Sequence, residues 1–328
     1  YVADVDDDGR NDLLALDVNG PRLYLAEPGG GFRDATRDSR LPSMLPPAGA
    51  VAIGDREGDG LVDMGNSQMM LRNIGGGRFT DVSARHGLPL ERGSGITLAD
   101  FDRDGRLDLY VSRSHGLRGA VSETSWFDGP GGPGNQLWLN RGEWRFEEVA
   151  EQLGATGGRR SVFTSAALDA NDDGRTDLYL ISEFGPGALL LQREDGSFEE
   201  TLLEDDDGDF GSMGLAVGDH DNDGRIDIYT ANMYSKSGRR IIDNLAPGSY
   251  DAAVMRRIRR FVTGSELYHN EGADESGRPR WSRRAAAYGI YDVGWPYGAA
   301  FVDLDSDGFL DLYATAGFIS VDPSIPDG

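Results

Sequence analysis

Between Asp100 and Ser112 the chain reads DFDRDGRLDLYVS, with Asp100, Asp102, Asp104 and Asp108 at positions 1, 3, 5 and 9 of a nine-residue stretch and Gly105 at position 6. In a tight loop alternate side chains converge on one point, and the glycine permits the sharp turn that lets the Arg106 carbonyl face inward as well. A shell of hard oxygens of this kind suits Ca²⁺ better than Mg²⁺, which demands near-octahedral geometry and keeps its waters. Without a cation, carboxylates a few ångströms apart repel by about 1 to 4 kcal/mol per pair in water-like to surface-like surroundings. The clustering is therefore unfavourable unless an ion binds.

The pattern occurs six times, and six repetitions in phase are not what ordinary solvated Asp/Gly turns produce. Loop 1, DVDDDGRND, offers Asp4, Asp6, Asp8 and Asp12 with the carbonyl of Arg10, and loop 2, DREGDGLVD, offers Asp55, Glu57, Asp59 and Asp63 with that of Leu61. Loop 3 is the stretch above. Loop 4, DANDDGRTD, offers Asp169, Asn171, Asp173 and Asp177 with Arg175; loop 5, DHDNDGRID, offers Asp219, Asp221, Asp223 and Asp227 with Arg225. Loop 6, DLDSDGFLD, offers Asp303, Asp305, Asp307 and Asp311 with Phe309. Glu57 has a longer arm that shifts or weakens its site, whereas Asn171 still supplies an oxygen. Up to six Ca²⁺ are expected. An EF-hand would need a bidentate glutamate at position 12 and flanking helices. Position 12 here is Ala15, Asn66, Val111, Leu180, Thr230 or Ala314, which also removes the dockerin reading. A further acidic run, Glu204 to Asp209, does not match the spacing and reads as a solvated loop.

The elements that must position these loops are strands. Each loop is preceded by a small-apolar run such as GITLAD, VFTSAALD, GLAVGD or GAAFVD and followed by DLYVS, DLYLIS, DIYTA or DLYAT. A third run (RLYLAE, QMMLRN, NQLWLN, ALLLQR, SELYHN) and a fourth centred on an aromatic (GFRDAT, RFTDVS, RFEEVA, SFEETL, RWSRRA) complete the repeat. Successive loops start 51, 45, 69, 50 and 84 residues apart, a period near 45 to 51 lengthened by two insertions. Four short antiparallel strands per repeat predict one propeller blade each, since a sandwich does not repeat its sequence and a β-helix repeats at a much shorter period. The expectation is an all-β fold: a single β-propeller domain over residues 1–328, incomplete at both ends, seven-bladed in the intact protein or alternatively six-bladed. The sixth repeat is expected to stop after its second strand, near Ile319.

The insertions, residues 114–135 and 232–263, both fall between second and third strands. The first holds Gly129, Gly131 and Gly134 at G-x-G-x-x-G spacing, but prolines intervene and no helix follows, so it reads as a loop. The second predicts a short helix near 251–263, with Asp251 as N-cap, Gly264 as stop, an apolar face of Val254, Met255, Ile258, Phe261 and Val262, and arginines opposite. Those arginines face neighbouring carboxylates, or else grip a partner or a membrane surface.

A formal charge of -24 argues against nucleic acid or an anionic membrane as partner, and no run approaches a membrane span. With no cysteine there is neither disulfide nor thiolate site. There is no G-x-S-x-G or H-E-x-x-H motif, and the histidines, His86, His115, His220 and His269, are scattered and read as surface residues. No catalytic residue or organic cofactor is assigned, and an enzyme is not expected.

The loop and its strand resemble the FG-GAP/VCBS repeat of integrin alpha-subunit propellers. Closer still is the cartilage acidic protein group, associated with the ASPIC/UnbV domain, through FGSMGLAVGDHDNDGRIDIYTANMYSKSGRR (210–240), GSELYHNEG (264–272) and GWPYGAAFVDLDSDGFLDLYATAGF (294–318). The resemblance covers nearly the whole chain, although only six loops are present and no ASPIC/UnbV segment follows Gly328. It implies a calcium-loaded propeller, usually seven-bladed, in secreted or surface proteins of adhesion or protein binding. The resulting expectation is a calcium-binding module that is extracellular, cell-surface or periplasmic, with calcium in a structural role and an unidentified protein or surface glycan as partner. Two alternatives stand beside it. One is an enzyme acting on carbohydrate or another secreted polymer, with Trp126, Phe127, Trp295 and Tyr297 as platform residues. The other is a subunit of a larger surface assembly or filament docked through the arginine-rich helix.

Overall fold

The computed structural model describes the chain except for residues 18–19, 44–50, 67, 85–92, 115–131, 183–184, 204–210, 247 and 317–328. Expectations that fall there, namely most of the first insertion with His115, Trp126 and Phe127, together with His86, the acidic run at 204–209 and the chain beyond Ala316, lie outside the described residues.

Strands form where small and branched apolar residues alternate, and the six repeats become six antiparallel sheets. The first is β1 (Val2–Ala3), β2 (Asp12–Asp17), β3 (Gly20–Ala26) and β4 (Phe32–Asp34); the second is β5 (Ala52–Gly54), β6 (Asp63–Asn66), β7 (Met69–Asn73) and β8 (Phe79–Asp81). The third is β9 (Gly95–Ala99), β10 (Asp108–Ser112), β11 (Gln136–Asn140) and β12 (Phe146–Glu148), followed by the short helix α1 (Ala150–Leu153). The fourth is β13 (Val162–Leu168), β14 (Asp177–Ser182), β15 (Ala188–Gln192) and β16 (Phe198–Thr201). The fifth is β17 (Ser212–Gly218), β18 (Asp227–Asn232), β19 (Glu266–Ala273) and β20 (Pro279–Arg283). Between β18 and β19 lie α2 (Lys236–Asp243) and α3 (Ala252–Phe261), and after β20 lies α4 (Ala285–Tyr288). The sixth sheet holds β21 (Pro296–Val302) and β22 (Asp311–Ala316). In all six sheets sequence-adjacent strands pair, and the acidic loop is the turn between the first two. Four-stranded, meandering sheets of this kind fit the blades of a propeller.

The chain divides into two compact units. One comprises Tyr1–Ser114, Gly134–Thr156 and Glu194–Ser197, and carries the first three sheets; the other comprises the rest and carries the last three. Within the first, Leu14 and Leu23 pack with Met64, Leu71 and Phe79 of the second sheet, and Met70 packs with Leu109, Val111 and Trp138 of the third. Within the other, Tyr179, Ile181 and Leu189 pack with Ile228 and Tyr268, and Ala216, Tyr229 and Ala231 pack with Phe301, Leu312 and Ala314. The small residues of the first strands have a specific cause. A Cβ placed on Gly214 of β17 would stand 3.2 Å from the Gly298 Cα of β21, so a side chain there would push the two strands apart by a few tenths of an ångström.

The helix expected near 251–263 is α3. Asp251 is its N-cap, its side chain accepting from the Val254 N–H at 2.9 Å. Helix α2 was not legible in advance; it is capped by Ser235, whose Oγ accepts from Gly238 N–H at 2.9 Å.

Candidate metal centres

Backbone geometry comes first. In every acidic loop the residues at positions 4 and 6 lie in the left-handed region: Asp7, Gly58, Arg103, Asp172, Asn222 and Ser306 at φ 57 to 75°, and Gly9, Gly60, Gly105, Gly174, Gly224 and Gly308 at φ 77 to 90°. The position-6 glycine is readable from sequence; the equal demand at position 4 is not, because five different residue types satisfy it.

That backbone turns its N–H groups onto the carboxylates. At position 1, Oδ2 of Asp4, Asp55, Asp100, Asp169, Asp219 and Asp303 accepts from the glycine N–H at 2.7 to 3.0 Å. Oδ1 accepts from the position-5 N–H at 3.0 to 3.3 Å. At position 5, Oδ1 of Asp8, Asp59, Asp104, Asp173, Asp223 and Asp307 accepts from the N–H at position 7 at 2.8 to 3.0 Å. At position 9, Oδ2 of Asp12, Asp63, Asp108, Asp177, Asp227 and Asp311 accepts from the N–H at position 2. Oδ1 of the first five accepts from the third strand, from the N–H groups of Ala26, Asn73, Asn140, Gln192 and Asn270, at 2.7 to 2.9 Å. Asp12, Asp108, Asp177 and Asp227 are fully buried. The carboxylate at position 9 thus ties together the loop, the second strand and the third.

Position 3 is less uniform: Glu57 pairs with Arg72, Asp102 Oδ2 accepts from Arg141 Nη1 at 2.8 Å and Asp305 Oδ1 from the Asp307 N–H at 3.2 Å. Asp6 Oδ1 and Asn171 Oδ1 are buried with no hydrogen-bond partner, the Asn171 amide being turned so that its Nδ2 donates to the Gly277 carbonyl at 2.9 Å. An unsatisfied inward oxygen beside two oriented carboxylates is the arrangement a cation completes. Carboxylate oxygens of Asp4, Asp6 and Asp8 lie within 4.8 Å of one another, as do those of Asp100, Asp102 and Asp108, of Asp219, Asp221 and Asp223, and of Asp303, Asp305 and Asp311. The residues present therefore fit a hard divalent cation.

Burial and mutual repulsion act on these acids. Burial pushes the Asp108 and Asp177 carboxyls up to about 7 against the backbone bonds that lower them, with neighbouring aspartates adding to the rise. The Asp6 carboxyl is raised by burial and then by Asp12, Asp8 and Asp4.

The arginines at position 7, named for their carbonyls, also use their side chains. In Arg10, Arg106, Arg175 and Arg225 the Nε donates to a third-strand carbonyl at 2.8 to 3.2 Å while Nη2 pairs with the carboxylate at position 5. Leu61 and Phe309 provide no such brace.

Loop 2 departs furthest. Arg72 of β7 reaches in, its Nε pairing with Glu57 and its Nη2 lying 3.2 Å from Asp59 Oδ2. Arg56, at position 2, is buried and donates to the Ala52 carbonyl at 3.1 Å. Loop 2 thus contains its own counter-charge.

Two functional features escaped the sequence reading. Asn73, Asn140 and Asn270, each on a third strand, donate from Nδ2 to the position-2 carbonyl of the preceding acidic loop of the same unit: Val5 at 2.8 Å, Arg56 at 2.7 Å and Ala170 at 2.9 Å. The signal was the recurring N in MMLRN, QLWLN and ELYHN. Moreover, His220 and His269 are not scattered surface residues. Both side chains are nearly buried, at 13% and 11% exposure, with ring centroids 5.8 Å apart, because the β18–β19 pairing brings together residues 49 apart in sequence. Trp295 and Tyr297, the described members of the proposed aromatic platform, are 37% and 51% exposed.

Sheet and loop together define a repeat-built all-β protein in which each unit of sequence supplies one sheet and one acidic hairpin. Residues 4–65, 64–111 and 169–230, just over half of the chain, match the FG-GAP-like repeat, and the chain belongs to that family. It is 27% identical over 270 residues to cartilage acidic protein 1 of Xenopus tropicalis, a match covering 70% of this chain and 39% of that one. Among solved structures, the V. cholerae biofilm matrix protein Bap1 aligns with a TM-score of 0.37 and 16% identity, over 73% of this chain and 35% of that one. The chain thus spans well under half the length of either. Among the described residues no helix is long and apolar enough to cross a membrane.

Proposed function

We propose that this chain is the calcium-loaded propeller portion of a secreted or surface protein, and that it serves as an adhesion or assembly module rather than an enzyme. The observation that carries the calcium reading is the buried, partnerless Oδ1 of Asp6, on a carboxylate within 4.8 Å of those of Asp4 and Asp8, which backbone N–H groups already orient. Oxygen-only donors in a flexible loop favour calcium over magnesium, and affinities of extracellular modules, about 10⁻⁴ to 10⁻³ M, suit the concentration outside cells. Membership of a repeat family and the likeness to a cartilage protein support the adhesive role.

The ion acts on folding. Each site gathers the strand hairpin that carries it, so bound calcium stabilises the folded state by mass action. The test is thermal melting with millimolar Ca²⁺ and with chelator. A fall of several degrees on chelation, restored by Ca²⁺ and not by equal Mg²⁺, is expected; superimposable melts would remove the calcium reading. Adhesion is tested by binding of the calcium-loaded chain to matrix proteins and glycans, with binding abolished by chelator as the expected result.

A further inference from the structure

We propose that the fifth repeat, in place of calcium, carries a mixed nitrogen–oxygen site for a first-row transition ion of the Zn²⁺ type, formed by His220, Asp221, Asp227 and His269, two of which the calcium reading of that loop also uses. The four side chains each present one donor atom, and those atoms lie within 4.8 Å of one another. His269 Nδ1 is 3.0 Å from Asp227 Oδ1 and 3.8 Å from Asp221 Oδ2, and His220 Nδ1 faces Asp227 Oδ2. Tetrahedral zinc with bonds of about 2.0 to 2.2 Å sets its donors roughly 3.3 to 3.6 Å apart, so the widest separation closes by about an ångström while the two histidine–Asp227 contacts open.

The placement is specific to this repeat. At position 2 the other loops have Val5, Arg56, Phe101, Ala170 and Leu304, and at the third-strand position before the N–H donor to Asp227 or its equivalents they have Leu25, Arg72, Leu139 and Leu191. Only in the fifth repeat does imidazole occupy both. Imidazole nitrogens select Zn²⁺ and its neighbours over calcium, which takes oxygen alone. The surroundings are largely desolvated: the His220 ring lies 5.9 Å from Tyr288 and 6.4 Å from Phe301, and Asp227 is fully buried. Desolvated walls of this kind fix ligand rings and exclude competing water.

The rival arrangement is a metal-free cluster in which both imidazoles donate to Asp227, which also accepts from His220 and Asn270 N–H groups at 3.3 and 2.8 Å. A carboxylate has room for about four donors, so that cluster is self-consistent. Binding decides between them.

The experiment titrates Zn²⁺, and Co²⁺ as a visible reporter, into the chain held in millimolar Ca²⁺. One equivalent of Zn²⁺ is expected to bind despite the calcium, Co²⁺ is expected to give the absorption of nitrogen-ligated metal, and NMR is expected to show the His220 and His269 rings shifting among the four histidines. His220→Val and His269→Leu, the residues of loop 1 and of the third repeat at these places, should each weaken Zn²⁺ binding by roughly tenfold or more. Absence of Zn²⁺ binding, its displacement by calcium, unmoved His220 and His269 resonances, or unchanged affinity in folded variants would each overturn the site. The NMR and Co²⁺ readouts use the native sequence and stand even if a variant fails to fold. Calcium dependence of the melt without zinc is read separately, so the failure of either reading is distinguishable from failure of the other.

Discussion

Asp108 joins three stretches of chain through one side chain: its oxygens accept from the Phe101 N–H at 2.7 Å and the Asn140 N–H at 2.7 Å while it closes the loop from β10. Its carboxyl and that of Asp177 sit near 7, raised by burial, against about 3.9 in the unfolded chain. The folded protein then binds more protons than the unfolded one between about pH 4 and 7, and this contribution, present below pH 4, is lost as pH rises through 7. In metal-stripped protein, urea midpoints should therefore fall from pH 5 to pH 8, and the Asp108→Asn variant should show a shallower fall; equal slopes would contradict the assignment. Asn140 makes a second residue-scale prediction. Its Nδ2 donates to the carbonyls of Arg56 and Leu107 at 2.7 and 3.2 Å, so Asn140→Ala leaves both short of a donor and should cost about 2 kcal/mol or more in urea denaturation. The acids at positions 1, 3, 5 and 9 were legible because oxygen spacing has a chemistry of its own. The asparagines were not, since an Asn before a Gly-containing turn reads as turn residue, and the His220–His269 pair needed the strand pairing to bring it together.

At the scale of elements, the strands were legible because small and branched apolar residues alternate on either side of every acidic loop. Helix α3 was legible from its cap and apolar period, whereas α2 has a glycine at 238 and only eight residues, too short for periodicity to declare itself. Asp251→Ala should cost about 1 kcal/mol of local helix stability. It is expected to speed hydrogen exchange at Val254 while leaving the global unfolding midpoint unchanged, because α3 has no buried residue. Loop 2 carries a different expectation. Since Arg72 already occupies its acidic interior, it should be the weakest of the calcium loops, and Arg72→Leu should strengthen binding there by freeing Glu57 and Asp59. Calcium titration of the two proteins checks this, and an unchanged isotherm would count against it.

For the whole molecule, the charge of -24 sets the terms. Like charges at this density oppose compaction, and mobile ions screen those that face solvent over about 8 to 10 Å. Metal-stripped protein should gain melting temperature as NaCl rises from 0.05 to about 0.5 M, and the calcium-loaded form should gain much less. The period, the strand count per repeat and the all-β class could be read from the text of the chain. The division into two compact units could not, because all the repeats are written in the same strand and loop pattern.

The asparagine bonds also impose an order in time. Each runs backwards along the chain, so the Val5 carbonyl acquires its donor only when Asn73 arrives, 68 residues later, and the Arg56 carbonyl waits 84 residues for Asn140. At a synthesis rate of about 5 to 20 residues per second, the repeats closed in this way each spend several seconds on the ribosome before the successor can complete them. A nascent chain of this kind matures one step behind its own synthesis.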